Sequence, residues 1–463
     1  MLVIFVALFV MLIGYLVNFL VVNREEVINN PYNTRIDLLA GKTVRGTIFG
    51  RNGEVLAENV IGQDGEDKRS YPYGSLFVHT VGYNTYGKSG IEYDMNYELL
   101  TSKIGFFEKI VNDFEGNKDP GNSVYTTLDA GLQRVAYDAL GEYKGAVVVI
   151  DVATGKVLAM VSKPDFDPNR IDELWDILVK AEETEKAYDG VMLNRATQGQ
   201  YTPGSVFKII TALAYMRENP DTWQNFNYKC TGEYVEGNNR VKCYHGTKHG
   251  NVDLEEAFAV SCNAAFAKLG GSISYDTIKN VCEELSFNEV MSTPTVISEV
   301  NKFLLSESSP RYEYLYTMIG QGQTTITPLY GAMLAAAIAN GGTAMAPYMV
   351  EEVLSPYGEI VKSYVPSVLG EWMSESEAGL LADMMRACVT DGTGRKLKDL
   401  SVECYGKTGT AETANDKPDA WFVGFAKNGT GDEIAVCVVV EESGTGAEFA
   451  VPIAENIVKK YYE

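Results

Sequence analysis

Leu2 to Val22 is apolar at every position except Gly14, Tyr15 and Asn18. About 20 such residues suffice to cross a bilayer, and a lone segment in hydrocarbon can satisfy its backbone groups only as a helix. The stretch therefore predicts a helical anchor, with the rest of the chain folding on one side of a membrane. A cleaved signal peptide is the alternative, but it needs a shorter apolar core and a small-residue cleavage site. Val22-Asn23-Arg24-Glu25-Glu26 follows instead. No Lys or Arg precedes the run, so charge supplies no orientation. Asn29 to Arg35 is turn-rich and reads as the exit from the membrane.

A chain of 463 residues has room for two or three domains. Lys and Arg number 39 against 62 Asp and Glu, a formal charge of −23 with no basic block. That balance argues against nucleic acid and anionic lipid surfaces as partners.

Two short β-prone runs flank Arg51-Asn52-Gly53, a strong hairpin signal. Residues 60 to 123 mix short strands, glycines and charges and read as a small α+β pedestal. Thr127-Leu128-Asp129 opens an amphipathic helix with Leu132, Val135, Ala136, Ala139 and Leu140 on one face. Ala146 to Ile150 and Lys156 to Ser162 read as strands around a turn at Val152 to Gly155. Residues 222 to 252, rich in Asn, Gly and Tyr, read as loop. Thr327-Pro328-Leu329 caps an apolar helix that runs through Ile338 and stops at Asn340-Gly341-Gly342. A helix over 376 to 390, β-rich stretches at Ala420 to Ala426 and Glu433 to Glu441, and a last helix from near Pro452 follow. Helices between an early hairpin and late strands predict an antiparallel sheet completed by both ends of the domain.

The chemistry centres on Tyr201 to Leu213. Pro203 and Gly204 punctuate a turn, and an apolar run without a breaker starts at Ser205, which reads as a buried helix. Ser205 and Lys208 then share a face. A buried lysine held neutral can take the proton of a neighbouring serine. The ordinary alternative is a serine capping a helix beside a solvated lysine. Two more motifs follow in order: Ser261-x-Asn263, with Ser286-Phe287-Asn288 as its rival, and Lys407-Thr408-Gly409. A closely similar three-part set marks serine acyl-transfer enzymes that react with β-lactams. The three histidines, His79, His245 and His249, leave little material for a Ser-His-Asp scheme. Gly320-x-Gly322 lacks the context of a nucleotide-binding loop. Cys230, Cys243, His245 and His249 match a zinc-ligand set by type and count. A Cys230–Cys243 disulfide and a pair of free thiols are the alternatives, and no metal is assigned. Cys262, inside the second motif, reads as a small buried residue.

Together these motifs resemble those of a class B penicillin-binding protein, a peptidoglycan D,D-transpeptidase. The resemblance spans nearly the whole chain. It includes Asn30-Pro31-Tyr32-Asn33-x-Arg35, Arg45-Gly46-x-Ile48, Thr126-Thr127-Leu128-Asp129, Tyr201-x-Pro203-Gly204-Ser205, Gly320-x-Gly322 and Trp421-Phe422-x-Gly424. Gly50 departs from it, where such proteins usually have Asp. The resemblance implies an α+β fold. A serine D,D-peptidase/β-lactamase-like transpeptidase domain over 123–463 would hold an antiparallel sheet flanked by helices. A dimerisation-like pedestal would cover 24–122 and one transmembrane anchor 1–23, with no room for a glycosyltransferase domain.

The same resemblance implies roles. Ser205 attacks the D-Ala-D-Ala carbonyl of a stem peptide, Lys208 takes its proton and Ser261 relays a proton to the leaving D-Ala. Asn263 holds the donor's amide backbone. Lys407, Thr408 and Thr410 bind its carboxylate, and Gly409 lets it lie along the strand edge. The expected product is a peptide cross-link between stem peptides, without a cofactor, at the outer face of a bacterial membrane. Penicillins should trap Ser205, and a polytopic glycosyltransferase polymerising lipid II should be the partner. A D,D-carboxypeptidase or β-lactamase, and a non-catalytic β-lactam sensor or scaffold, are the alternatives.

Overall fold

The computed structural model describes residues 2–22, 34–61, 67–180, 190–413 and 417–463. Of the expected exit stretch Asn29 to Arg35, residues 29–33 lie outside the described residues, and Thr34 and Arg35 begin a helix, Thr34–Lys42. The chain divides into two compact units.

The first unit runs to Thr126 and adds Asp167–Arg170 and Val350–Ser363. It begins with α1 (Leu2–Val22), one unbroken helix without a charged residue. Its described side chains run from Ile4 to Phe19, and among the described residues no helix is long and apolar enough to cross a membrane. The hairpin expected around Arg51-Asn52-Gly53 forms between Ile48–Phe49 and Val55–Ile61. Gly53 supplies a φ of +85° in its turn, and the Gly50 N–H donates to Glu54 O at 2.7 Å. The hairpin joins a six-stranded sheet through a parallel pairing of Ile48–Phe49 with Ser123–Thr126.

Glu92 lies at the centre of this unit, fully buried. Arg45 Nε donates to one carboxylate oxygen and Arg69 Nε to the other, each at 2.6 Å. Arg45 also donates to the carbonyl of Glu92 and to Asn96 Oδ1, and Arg69 to Gly46 O. Burial alone would raise the pKa of the Glu92 carboxyl. The two guanidinium groups overcome that effect and hold it below the ordinary value.

The second unit comprises Thr127–Phe166, Ile171–Met349 and Tyr364–Glu463. Its sheet has five strands: β1 (Gly145–Asp151), β2 (Val157–Lys163), β3 (Glu403–Ala411), β4 (Asp419–Lys427) and β5 (Glu433–Val440). Their order is β3-β4-β5-β1-β2, antiparallel throughout. The early hairpin and the late strands meet at β5–β1, where Val438 pairs with Val147. The interiors of β1, β2, β4 and β5 are almost wholly apolar because both faces are covered.

One face packs against α2 (Ala130–Leu140). Asp129 caps this helix by accepting from Leu132 N. The sequence reads continuously apolar on the other face too, and the reason is a helix with no solvent side. The helices needed below are α3 (Lys208–Glu218), α4 (Asn263–Gly270), α5 (Pro328–Ala339), α6 (Glu375–Thr390) and α7 (Ala450–Tyr462). Leu132, Ala136 and Leu140 of α2 and Ile453, Ile457 and Val458 of α7 form one core with Val147, Val149, Val436 and Val438. On the opposite face α5 is buried from Pro328 to Ile338. Thr327 caps it and Asn340-Gly341-Gly342 ends it, as its sequence predicts.

Residues 222 to 252 differ from the expected loop. Tyr228–Cys230 pairs with Gly250–Val252, and Glu233–Glu236 with Asn239–Lys242. Glu236 pairs with Asn239 across Gly237-Asn238, with Gly237 at φ +59°. Gly and Asn here serve a tight hairpin turn, so their abundance marks turn chemistry within a β-ribbon.

Candidate active site

Ser205 sits at the second position of a single 3-10 turn, Gly204–Phe207, and α3 begins only at Lys208. The sequence predicts one α-helix from Ser205. The tighter first turn is a common way for a helix to begin, and here Gly204 enters it at φ +53°. The Gly204 N–H donates to Gly320 O at 2.9 Å. Gly320 has φ +79°, and a Cβ there would lie 1.7 Å from Gly204 O. Gly320→Ala therefore cannot be accommodated without moving the Ser205 turn. We expect it to cost about 1–3 kcal/mol of stability, seen as a lowered midpoint in both thermal and urea unfolding. A variant equal to wild type on both counts would show that the turn has slack.

Ser205 is half-buried, whereas Lys208 is fully buried. Lys208 Nζ donates to Ser261 O at 2.9 Å, Ser261 Oγ at 3.2 Å and Asn263 Oδ1 at 2.7 Å. Ser261 Oγ donates to Ser205 Oγ at 2.9 Å. The lysine thus reaches Ser205 through Ser261, where spacing alone suggests a direct contact. Ser261 adopts φ +56°, a conformation uncommon outside glycine and found where function demands it. It lies just before α4, and this bend allows both its carbonyl and its hydroxyl to meet Lys208. Burial, and then the charge of Lys407, lower the pKa of Lys208 well below the ordinary lysine value. Burial likewise lowers that of Lys407.

The third motif lies on β3, an edge strand of the sheet. Ser205, Ser261, Asn263, Thr408 and Thr410 line one cavity of about 250 Å³. Lys407 lies behind it, fully buried, with Nζ donating to Thr408 O at 3.1 Å and 5.4 Å from the centre of the Phe258 ring. Gly409 is hemmed in by its own chain, since a Cβ there would meet Trp421 Cβ at 2.8 Å and Pro203 O at 3.1 Å. Its missing side chain lets β3 approach the Ser205 turn. Asn263 has both ends of its amide engaged, Oδ1 by Lys208 and Nδ2 by Lys242 O at 3.1 Å.

Two neighbours are specified by no motif residue: Gln321, the variable position of Gly320-x-Gly322, and Thr393. Gln321 Nε2 donates to Thr410 O at 3.3 Å. Thr393 hydrogen-bonds through its hydroxyl to that of Thr408, and both threonines line the cavity. Only a turn signal, Asp391-Gly392-Thr393-Gly394, surrounds Thr393 in the sequence, so its part is invisible before folding. The rival pair Ser286 and Asn288 lies elsewhere: Asn288 donates to Phe303 O and Asn301 O and accepts from Phe303 N.

The cysteine reading changes composition. Cys230, Cys243, His249 and Cys262 bring their donor atoms within 4.8 Å of one another. Cys262 replaces His245, which instead packs its ring against Tyr244 at 4.1 Å between centroids. Cys230 and Cys243 are free thiols with sulfurs 3.6 Å apart, so the disulfide alternative is not adopted.

An antiparallel sheet whose edge faces two linked serines and a buried lysine defines the serine acyl-transfer class of domain. Known proteins agree. The family described as "Penicillin binding protein transpeptidase domain" matches residues 145–462, and "Penicillin binding protein A dimerisation domain" matches residues 45–124. The peptidoglycan D,D-transpeptidase PbpA of Mycolicibacterium smegmatis is 32% identical over 93% of this chain and 91% of that protein. Among solved structures, the D,D-transpeptidase domain of a peptidoglycan glycosyltransferase from Eggerthella lenta is 30% identical. It covers 91% of this chain and 98% of that one, with a TM-score of 0.80. The ceftriaxone acyl-enzyme complex of penicillin-binding protein A from M. tuberculosis is 26% identical over 92% and 100%, with a TM-score of 0.82. The chain belongs to the penicillin-binding protein transpeptidase family.

Proposed function

We propose that this chain is a peptidoglycan D,D-transpeptidase that cross-links stem peptides through an acyl-enzyme on Ser205. One observation carries the reading. An unbroken hydrogen-bonded path joins Ser205 Oγ, Ser261 Oγ and Lys208 Nζ, with links of 2.9 and 3.2 Å, beside a cavity also lined by Thr408 and Thr410. When Lys208 is neutral, both hydrogen bonds can reverse, so that Ser205 donates to Ser261 and Ser261 to the amine. Ser205 Oγ then bonds to the carbonyl carbon of D-Ala-D-Ala as its proton passes to Lys208. The C–N bond breaks, and the proton returns through Ser261 to the departing D-Ala amine. In the second half, the amine of another stem peptide attacks the ester, its surplus proton passes to Lys208, and Ser205 leaves reprotonated. β-Lactams, as mimics of D-Ala-D-Ala, acylate the same oxygen.

The oxyanion is held by the N–H groups of Ser205 and Thr410, at about 3 kcal/mol per donor. In an antiparallel strand one residue's N–H and C=O point to the same side. Thr410 O accepts from Gln321, off the sheet, which supports an outward N–H at Thr410. Thr408, Thr410 and the charge of Lys407 serve the substrate carboxylate, and Asn263 serves the donor backbone.

Acylation is expected to rise with pH through the folded-state pKa of Lys208, because only the neutral amine accepts a proton. Burial and Lys407 push that pKa down, while the Cys262 and Cys243 thiols favour the charge more weakly. Ser261 and Asn263 are its uncharged partners. The measurement is the rate of penicillin labelling against pH. A rising limb centred at the free-lysine value of about 10.4 would contradict the assignment.

The uncharged helix Leu2–Val22 supports a single-pass anchor over 1–23, a pedestal over 24–122 and a transpeptidase domain over 123–463. The catalytic domain then works outside the bacterial membrane. A polytopic glycosyltransferase that polymerises lipid II docks at the anchor and pedestal. Mass spectrometry of the penicillin-labelled chain, with analysis of products from stem peptides, tests the function. An adduct on Ser205 and a cross-linked dimer are expected. An adduct elsewhere, or free D-Ala without cross-linking, overturns it.

A further inference from the structure

Four side chains close to Ser261 have no part in the reaction above. Cys230 ends the strand Tyr228–Cys230, Cys243 follows Asn239–Lys242, His249 precedes Gly250–Val252, and Cys262 caps α4. The pairing of Gly250 with Cys230 brings His249 beside that cysteine. The sulfurs of Cys230 and Cys243 are 3.6 Å apart, those of Cys243 and Cys262 3.7 Å, and Cys230 Sγ is 3.5 Å from His249 Nδ1.

These separations discriminate between chemistries. A disulfide holds its sulfurs at about 2.05 Å. A tetrahedral zinc ion, with Zn–S of about 2.3 Å and Zn–N of about 2.05 Å, spaces its sulfurs about 3.8 Å apart and sulfur from nitrogen about 3.6 Å. The observed spacings are those of the second arrangement. Each sulfur also accepts a backbone N–H, from Gly232 at 3.4 Å, Ala264 at 3.5 Å and Ala265 at 3.4 Å. Such bonds stabilise thiolate charge and aim the ligand. All three cysteines are buried.

We propose that Cys230, Cys243, Cys262 and His249 bind one zinc ion in a closed structural site, and that the ion holds Ser261 and Asn263 from behind. Two features give the ion that task. Cys262 stands between Ser261, strained at φ +56°, and Asn263, which donates to the carbonyl of Lys242 next to Cys243. Moreover, between 228 and 252 the only buried residues besides the two cysteines are Gly232, Val241 and Val252. Ribbons with so little core gain their stability from a staple, and metal-binding free energy becomes folding free energy. Four protein ligands leave no open position, so the ion is structural rather than a source of activated water.

The test uses the full-length chain purified without chelator. Metal analysis and native mass spectrometry should find about one zinc per chain. Cobalt in its place should show the intense thiolate-to-cobalt absorption of a tetrahedral, sulfur-rich site. Cys230→Ser and His249→Asn should each lower zinc content, while Cys282→Ala, at a buried thiol outside the cluster, retains it. Chelation of the wild-type chain should slow penicillin acylation about tenfold or more, and added zinc should restore it. A metal-free wild-type chain that folds, with Cys230, Cys243 and Cys262 open to alkylation or with a mapped Cys230–Cys243 disulfide, overturns the site. Undiminished acylation after complete zinc removal overturns its positioning role. The metal measurements stand whatever reaction Ser205 performs; only the rate measurement rests on the function proposed above.

Discussion

Ser205→Ala is expected to leave a folded chain that forms no penicillin adduct, with acylation reduced by on the order of 10⁵-fold or more. The substitution removes one oxygen from a half-buried turn residue. Ala tolerates the backbone there, because the positive φ belongs to Gly204 and not to Ser205. The hydroxyl nevertheless carries the covalent chemistry, and no neighbour can replace it. Ser261 Oγ, 2.9 Å away, is spent on Lys208. The measurement is intact-mass analysis after incubation with a labelled penicillin, alongside thermal unfolding to show that the variant is folded. An adduct that persists at wild-type rate would move the nucleophile elsewhere and remove the basis of the mechanism.

The second large effect is on stability. Glu92→Ala is expected to destabilise the first unit by about 3–5 kcal/mol. It leaves two guanidinium groups buried without a counter-charge, and Nη2 of Arg69 already has no hydrogen-bond partner. The pH dependence has a definite sign. The folded-state pKa of Glu92 is depressed, so its contribution is complete above the unfolded value of about 4.3 and is lost as pH falls through the folded one. Thermal unfolding of the variant should therefore show a lowered midpoint near neutral pH, and wild type should lose stability in acid. An unchanged midpoint in Glu92→Ala would mean that the two arginines find other partners or reach water.

Much of the fold is legible because it is local. The Asp129 cap, the Thr327-Pro328 start and Asn340-Gly341-Gly342 stop of α5, and the hairpin at Gly53 all depend on residues within one turn of each other. The strands β1, β2, β4 and β5 announce themselves because burial on both faces forces continuous apolar runs. Residues 222 to 252 are ambiguous in sequence, since Gly and Asn suit an open loop and a hairpin turn alike. The site divides in the same way. Ser205, Lys208, Ser261, Asn263 and the Lys407 to Thr410 edge stand out as residue types in order. Thr393 and Gln321 do not, because their value lies only in what they touch.

The sequence by itself determined the residue types, the local caps and turns, the apolar helix at the N-terminus and the order of three chemical motifs. Only the tertiary structure decided that Lys208 reaches Ser205 through Ser261, that Gly409 and Gly320 are small to admit the Ser205 turn, and that Cys262 rather than His245 joins Cys230, Cys243 and His249. The physical reason is distance along the chain. Caps and strand patterns are set by neighbours a few residues apart, whereas these contacts join residues from 13 to more than 200 positions apart, and no local propensity encodes where such segments meet.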